Sequence, residues 1–478
     1  MSRSIDSMGA EREDGILSLT PRSGRWRLTI DALERSLAGR TRGPVIAPDH
    51  ALYDIARALF NGMLDRRPRL IFRPADTDDL VSAVRWASES DVAIAVRGGG
   101  HSVAGHSMPD DGFVIDLSRW RYATVDPERR IAEAEGGCLL MDLDAATAGY
   151  GLAAPSGTFV DTGIGGLTLG GGISHIIASD GFGCDALIGA ELVTADGRVV
   201  DIDGEREPDL LWALRGGGGN FGVVTRLRYQ LTPLELMYSG SLSYRGPAVG
   251  EVLARLFELD ASAPDELVTQ AIVFWSDEDG GPIVRVNIDW RGEPDDGDAA
   301  IRELREDVVP FQTNLRPMTW LQAQARFTPI PFGLRHYWKG HLVSEASTGL
   351  ADALITAAEG SGDDGFILVE LIHGAAHRIP EESAAFGGRQ AVANVTALSI
   401  WREAGGDEAG IEWGRRAARL VEPYSLSGGG YLNYPEVDQT AARVAAAFGP
   451  ERFARLRKIK RTWDPDNRFR HNANIVPA

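Results

Sequence analysis

Three glycine-rich segments, residues 98–105, 163–172 and 215–222, are the parts of the 478-residue sequence best suited to chemistry. The first follows Arg97 and reads Gly98-Gly99-Gly100-His101-Ser102, with a further glycine at Gly105. Consecutive glycines free the backbone to adopt positive φ and let another group approach closely. His101 therefore reads in one of two ways. It is a surface histidine at a tight turn, or it touches or bonds something large lying on the glycines. Backbone N–H groups in glycine turns form concave nests for phosphates. Three separated segments can converge on one extended anion, and a pyrophosphate-linked dinucleotide is the natural ligand of that shape. The third segment also has the spacing of a nicotinamide-dinucleotide fingerprint, Gly217 to Gly222. That fingerprint needs a helix after it, whereas "VVTRLRYQL" reads as a strand. The glycines therefore point to another nucleotide.

The remaining chemistry-bearing residues are fewer. Glu370, His373 and His377 lie close in sequence, but "FILVELIHG" reads as a strand. Strand residues four apart lie ~13 Å apart, too far to share one metal ion, so no metal site is expected. Glu370 and one histidine either line a pocket or are polar residues at a strand end. Cys138 and Cys184 are the only cysteines, which excludes a disulfide framework and suits a reducing compartment. Cys184 has apolar neighbours and reads as an inert buried thiol. No serine sits in a nucleophile elbow.

Composition bounds the setting. The chain is 44% hydrophobic with a net charge of −19, so nucleic acid and anionic membranes are not expected partners. Its acidic N-terminus has no signal-peptide h-region, and no apolar run could span a bilayer. A cytoplasmic enzyme is the expectation, with its oligomeric state open.

The elements that position these groups follow from periodicity. Residues 1 to about 25 read as a mobile tail. "DHALYDIARALFNGML" places Leu52, Ile55, Ala56, Leu59 and Leu64 at helical spacing. "LIFRP", a helix capped by Thr77, and "VAIAV" form a βαβ unit whose second strand delivers the chain to Gly98–His101. Glycine density falls after about Thr232, and residues 240 to 425 mix strands and helices in an α+β pattern.

Longer stretches carry a resemblance. "RPADTDDLVSAVRWASESDVAIAVRGGGHSVAG", "VIDLSRW", "GTFVDTGIGGLTLGGG" and "DLLWALRGGGGNFGVVT" resemble the FAD-binding domain of the vanillyl-alcohol oxidase/p-cresol methylhydroxylase superfamily. "YLNYPEVD" and "WDPDNRFRHNANI" are similar to the closing segment of its berberine-bridge-enzyme-like branch. The resemblance implies an α+β protein in four parts. A lead-in (1–44) precedes a two-part FAD-binding domain (45–235). A substrate domain with a helix-covered antiparallel sheet (236–425) follows, and a C-terminal segment (426–478) returns to the FAD domain.

It also implies FAD bonded through its 8α-methyl carbon to His101. The expected cofactor contacts are Arg97, Gly98, Gly99, Gly100, Ser102 and Gly105; Thr158, Thr162, Gly163, Gly165, Gly166 and Gly170; Gly222, Val223 and Val224; and Tyr431 and Asn433. His106 falls outside the matching position and reads as a loop residue. The implied reaction is hydride transfer from an alcohol or amine C–H to the flavin, with reoxidation by dioxygen to hydrogen peroxide. The alternatives are a dehydrogenase using another acceptor, or a non-redox flavoprotein. Tyr431 is the expected base, assisted by Asn433. If "YLNY" is extended, Tyr431 and Asn433 share a face and Tyr434 points away. Glu370, Tyr337 and Lys339 are further pocket residues. Departures matter too. Phe159 stands where many relatives carry a cysteine bonded to the flavin, so a single linkage at His101 is expected. Leu167, Thr162 and Ile173 also replace residues characteristic of relatives, leaving substrate and electron acceptor open.

Overall fold

The computed structural model describes residues 30–362, 364–426 and 429–478. The N-terminal tail and the segment read for a signal peptide lie outside the described residues. The protein is a mixed α+β fold built on three main sheets.

The first sheet contains the expected strands Leu70–Phe72 and Ile94–Arg97. Strand Phe113–Asp116 lies between them and is parallel to both, and Val45–Ile46 closes one edge antiparallel. Helix Thr77–Glu89 makes the crossover. Its cap is Asp76, one residue before the expected Thr77. Asp76 is extended, and its carboxylate accepts the Asp79 N–H at 3.0 Å, whereas Thr77 is already helical.

The expected helix over residues 52–64 shrinks to Tyr53–Ala56, and Leu52 and Ile55 are exposed. A longer helix would be incompatible with buried Asn61. Its side-chain amide donates to the Val103 and His336 carbonyls and accepts the His336 N–H. These bonds bend the chain and set Phe60 beside the glycine turn.

The second sheet is antiparallel, in the order Ala123–Asp126, Ile131–Glu135, Val223–Gln230, Leu187–Val193, Val199–Asp203. Because Val223–Gln230 directly follows the third glycine segment, no helix starts there.

The third sheet has eight strands. Leu236–Arg245, Gly281–Arg291, Leu267–Ser276, Phe366–Leu371, Ala393–Trp401 and Arg335–Val343 succeed one another antiparallel. Helices Ala248–Asp260, Thr348–Ala358 and Asp407–Val421 bury one face of it in the largest apolar core. The other face looks toward the glycine segments.

The C-terminal helices Ala441–Phe448 and Pro450–Trp463 return to the second sheet, where Leu456 and Ile459 join the core around Phe221. Lys460 is fully buried. It donates to the Asn220 and Phe469 carbonyls and to Asp464, so the returning segment is tied to the third glycine turn. Among the described residues no helix is long and apolar enough to cross a membrane.

Candidate functional site

One cavity of about 300 Å³ runs between the glycine segments and the third sheet. Its first wall is Gly98, Gly99, Gly100, His101 and Ser102. Its second is Thr158, Phe159, Thr162, Gly163, Gly165, Gly166 and Gly170, and its third includes Gly216–Gly219, Gly222 and Val224. The first two walls meet back to back. A Cβ on Gly99 would stand 2.6 Å from the Gly163 nitrogen, so only glycine permits that approach. On the cavity side, Gly166 and Gly219 have no atom within 4 Å of a would-be Cβ. The result is a bare backbone cradle open along its length.

His101 sits at one end of the cradle. Its ring stacks on Phe60 at 4.3 Å between centroids, and Phe60 stacks in turn on His336 at 4.5 Å. His101 Nε2 lies 3.3 Å from an Asp161 carboxylate oxygen, in a geometry that makes no hydrogen bond. Ser107 Oγ, also on the cavity wall, is buried without a partner. A long glycine cradle with unsatisfied polar atoms on its wall fits a large ligand with many acceptors, and FAD has that character.

Three of the expected contacts, Arg97, Gly105 and Val223, lie off the cavity wall. Arg97 is turned away from the cavity. Its guanidinium donates to the Ala56 carbonyl and packs under Gly100, and burial lowers its pKa. Gly105 has φ +68° and packs against Leu59 and Leu64, so it shapes the turn without lining the cavity. Val223 faces the first-sheet core while Val224 faces the cavity, as strand alternation requires. Cys138 and Cys184 are buried, and neither lines the cavity.

The third sheet supplies the opposite wall through Trp338, Leu368 and Leu398. Register explains this set. Trp338 pairs with Leu398, which pairs with Phe366, and Leu368 is two residues further along the same face. Tyr337 and Lys339 are therefore on the opposite face, which corrects the expectation that they line the pocket. Tyr337 Oη bonds the Asp438 carboxylate and packs on helix Asp407–Val421, and Lys339 pairs with Glu436.

Residues 431–434 form a turn, not the extended segment expected, because the Tyr434 N–H bonds the Tyr431 carbonyl at 2.9 Å. The turn brings Tyr431, Asn433 and Tyr434 all to the cavity, with the Tyr431 and Tyr434 rings 5.2 Å apart. Tyr431 Oη accepts the Gly172 N–H at 2.7 Å, the Ile173 N–H at 3.2 Å and the Asn433 side-chain amide at 2.9 Å. Burial raises its pKa. Glu370 is buried behind this turn and does not line the cavity. Its carboxylate accepts from Tyr434 Oη at 3.0 Å and from Asn394 Nδ2 at 2.7 Å. Burial pushes its pKa up to about 7 against those two bonds.

His106, read from sequence as a loop residue, lines the cavity together with His471 and Asn472 of the C-terminal segment. Burial holds both histidines down to about 4. Nothing local in the sequence marks Phe60, Ile330 or Trp338 as wall residues; their places depend on contacts far apart in the chain. His373 and His377 are each bonded to a backbone carbonyl, of Leu267 and Ala391. No metal-competent cluster occurs among the described residues.

Comparison with known proteins places these features. Residues 68–203 match a family described as "FAD binding domain", and residues 430–476 match one described as "Berberine and berberine like". The sequence is 31% identical over 454 residues to (R)-6-hydroxynicotine oxidase of Paenarthrobacter nicotinovorans, covering 91% of this chain and 97% of the relative. It is 28% identical to an FAD-linked oxidoreductase of Bacillus subtilis over 91% and 97% of the two chains. The crystal structure of the 6-hydroxy-D-nicotine oxidase from Arthrobacter nicotinovorans superposes with a TM-score of 0.85 at 29% identity, covering 92% of this chain and 98% of that one. A chitooligosaccharide oxidase shares the fold at a TM-score of 0.82 and 20% identity, over 94% and 99% of the chains.

Proposed function

The chain belongs to the FAD-linked oxidoreductases of the berberine-bridge-like family, and from that premise we propose that it oxidises an alcohol or amine carbon of a small, largely apolar molecule. The observation that carries the substrate class is the apolar third-sheet wall of Trp338, Leu368 and Leu398, continued by Ile330 and by Phe60 beside His101, with Tyr431 and Tyr434 as its hydroxyl-bearing members. Such a wall recognises a compact ring by apolar contact and fixes one heteroatom by hydrogen bonding. A sugar would leave most of its hydroxyls unpaired there.

In this reading Gly98–Ser102, Thr162–Gly166 and Gly216–Gly219 hold FAD, with His101 bonded to it covalently and alone. FAD held there would supply a hydride acceptor that dioxygen can reoxidise, giving hydrogen peroxide. The protein's own part is to exclude water with the aromatic wall, orient the reacting C–H, and take the proton from the neighbouring O–H or N–H. Phe159, whose ring packs tilted against Phe327 with centroids 5.7 Å apart, closes the side of the cavity where a thiol would make a second linkage.

The test is an anaerobic panel of aromatic and cyclic amines, benzylic alcohols and sugars, scored by bleaching of the flavin band. Bleaching by an amine or alcohol but not by sugars is expected, followed by rapid recovery on mixing with dioxygen. Bleaching by sugars alone would overturn the substrate class. Recovery only with an added artificial acceptor would replace the oxidase by a dehydrogenase.

A further inference from the structure

Among the described residues, the cavity wall carries no Lys, Arg, Asp or Glu side chain. Its titratable members are the histidines His101, His106 and His471 and the tyrosines Tyr431 and Tyr434. FAD brings a pyrophosphate with two negative charges. A dianion moved from water into an uncharged cavity is costly unless its charges are paired and hydrogen-bonded. The glycine turns can offer backbone N–H groups, but those carry no net charge. Arg97 lies behind Gly100 and donates to the Ala56 carbonyl, so it lends positive potential without reaching the cavity. His101 is committed to the flavin. That leaves His106 and His471 as the wall groups able to become cations.

Both stand beside the glycine cradle. His106 follows the first segment, in a turn where the Gly105 N–H bonds the Ser102 carbonyl at 3.0 Å and the Met108 N–H bonds the Gly105 carbonyl at 3.1 Å. Its own backbone N–H reaches Ser102 Oγ at 3.4 Å, which ties it to the Gly98–Ser102 wall. Next to it, Ser107 is buried with its Oγ unpartnered. His471 arrives from the C-terminal segment. The Ile94 N–H bonds the Arg468 carbonyl at 2.9 Å, and Asn472 Nδ2 donates to the Gly219 carbonyl at 3.1 Å. His471 is therefore held between the strand that leads to the first glycine segment and the third glycine turn. Neither imidazole hydrogen-bonds a protein group among the described residues.

We propose that His106 and His471 are the cation site of this cavity, each taking one proton from solvent as the pyrophosphate of FAD seats beside them. The inference rests on the reading that the cavity holds FAD. Two neutral imidazoles and two protons become two imidazolium ions; no bond between heavy atoms changes and no electron moves. Cofactor uptake is thereby coupled to protons.

Without an anion beside them, both rings are neutral at pH 7. Burial, the His471 charge and Arg66 hold His106 down to about 4, and burial and Arg470 do the same for His471. Arg66 is itself paired with Asp110 at 2.8 Å. The other charged groups near the first glycine segment are Arg97 behind Gly100 and Asp161 beside His101. An opposite charge at contact distance favours the protonated ring and so works against burial. Binding is therefore tightest at low pH and weakens as pH rises.

Calorimetry on the full-length His101→Ala chain tests this, because that variant can bind FAD only reversibly. Titrations in buffers of different ionisation heat give the number of protons exchanged. A rise of about two pH units in each histidine gives roughly one proton taken up per FAD at about pH 6 and almost none at about pH 8, with binding about fourfold tighter at the lower pH. ADP-ribose, which has the pyrophosphate but no flavin, should show the same uptake. Riboflavin, which has no phosphate, should show none. His106→Gln and His471→Gln should each lower the uptake, and the double variant should abolish it. FAD binding without proton uptake at about pH 6, or uptake that survives in the double variant, would overturn the proposal. If ADP-ribose binds with proton uptake and FAD does not bind, the FAD reading fails and the cation site stands. If neither binds, both fail.

Discussion

Replacing Tyr431 by Phe removes one oxygen and leaves three donors without their acceptor. Two are backbone N–H groups, of Gly172 and Ile173, and the third is the Asn433 amide, which keeps its bond to the Leu167 carbonyl at 2.8 Å. Gly171 and Gly172 have φ of +134° and +98°, so this turn holds a backbone path closed to other residues. A buried N–H left unpaired costs about 1–3 kcal/mol. Two of them give about 2–6 kcal/mol, with the lower end applying if water reaches the space left by the hydroxyl. The ring remains, so its packing on Phe386 and Tyr434 is retained and no large cavity term is added. Urea denaturation of the Tyr431→Phe variant, with the wild type alongside, reads this directly. Hydrogen exchange should localise the change, with faster exchange at Gly172 and Ile173. A variant as stable as the wild type, with unchanged exchange at those two amides, would refute the reasoning that the hydroxyl anchors the glycine turn.

Two further outcomes follow from buried charges. Glu370 has a folded pKa raised above its unfolded value, so its contribution to stability is full at low pH and is lost as pH rises through about 7. Glu370→Gln should therefore gain on the wild type by about 2–3 kcal/mol between about pH 5 and 8.5, measured by urea denaturation at each pH; a pH-independent difference would contradict the buried, weakly compensated carboxylate. Asp289 behaves in the opposite sense. Burial works to raise it, but Arg326 and His175 hold it well below the carboxylate range. Asp289→Asn should cost about 3–5 kcal/mol by leaving the Arg326 charge buried and unpaired, and should speed hydrogen exchange in residues 326–334, which carry Ile330 to the cavity; unchanged exchange there would refute the anchoring role.

The glycine cradle was legible because its cause is local. Close approach and positive φ both demand glycine at the positions where they occur, as at Gly99 against Gly163. The crossover helix was legible from its apolar period, with an error of one residue at the cap. Most of what failed depended on distant partners. Alternation in "RHYWKG" shows that Tyr337 and Lys339 share a face, but not which face meets the cavity. The pairing of Trp338 with Leu398 decides that. The 431–434 turn was hidden because a single local bond, Tyr434 N–H to Tyr431 carbonyl, reverses the side on which Tyr434 falls. The helical spacing in residues 52–64 was real, yet Asn61 bonds to Val103 in the loop after the first glycine segment and to His336 in a strand, more than forty and more than two hundred residues away, overrode it. His106 carried no signal at all, since its burial arises where its loop meets His471 of the C-terminal segment.

Peptide mass spectrometry on the purified, denatured and digested protein tests whether the cavity holds FAD with its flavin ring at His101. Flavin is expected on the peptide containing His101 and on no other, with loss of that adduct, and release of FAD on denaturation, in His101→Ala. Flavin attached to a peptide containing Cys138 or Cys184, or no flavin retained by the denatured protein, would contradict the placement of the ring beside His101.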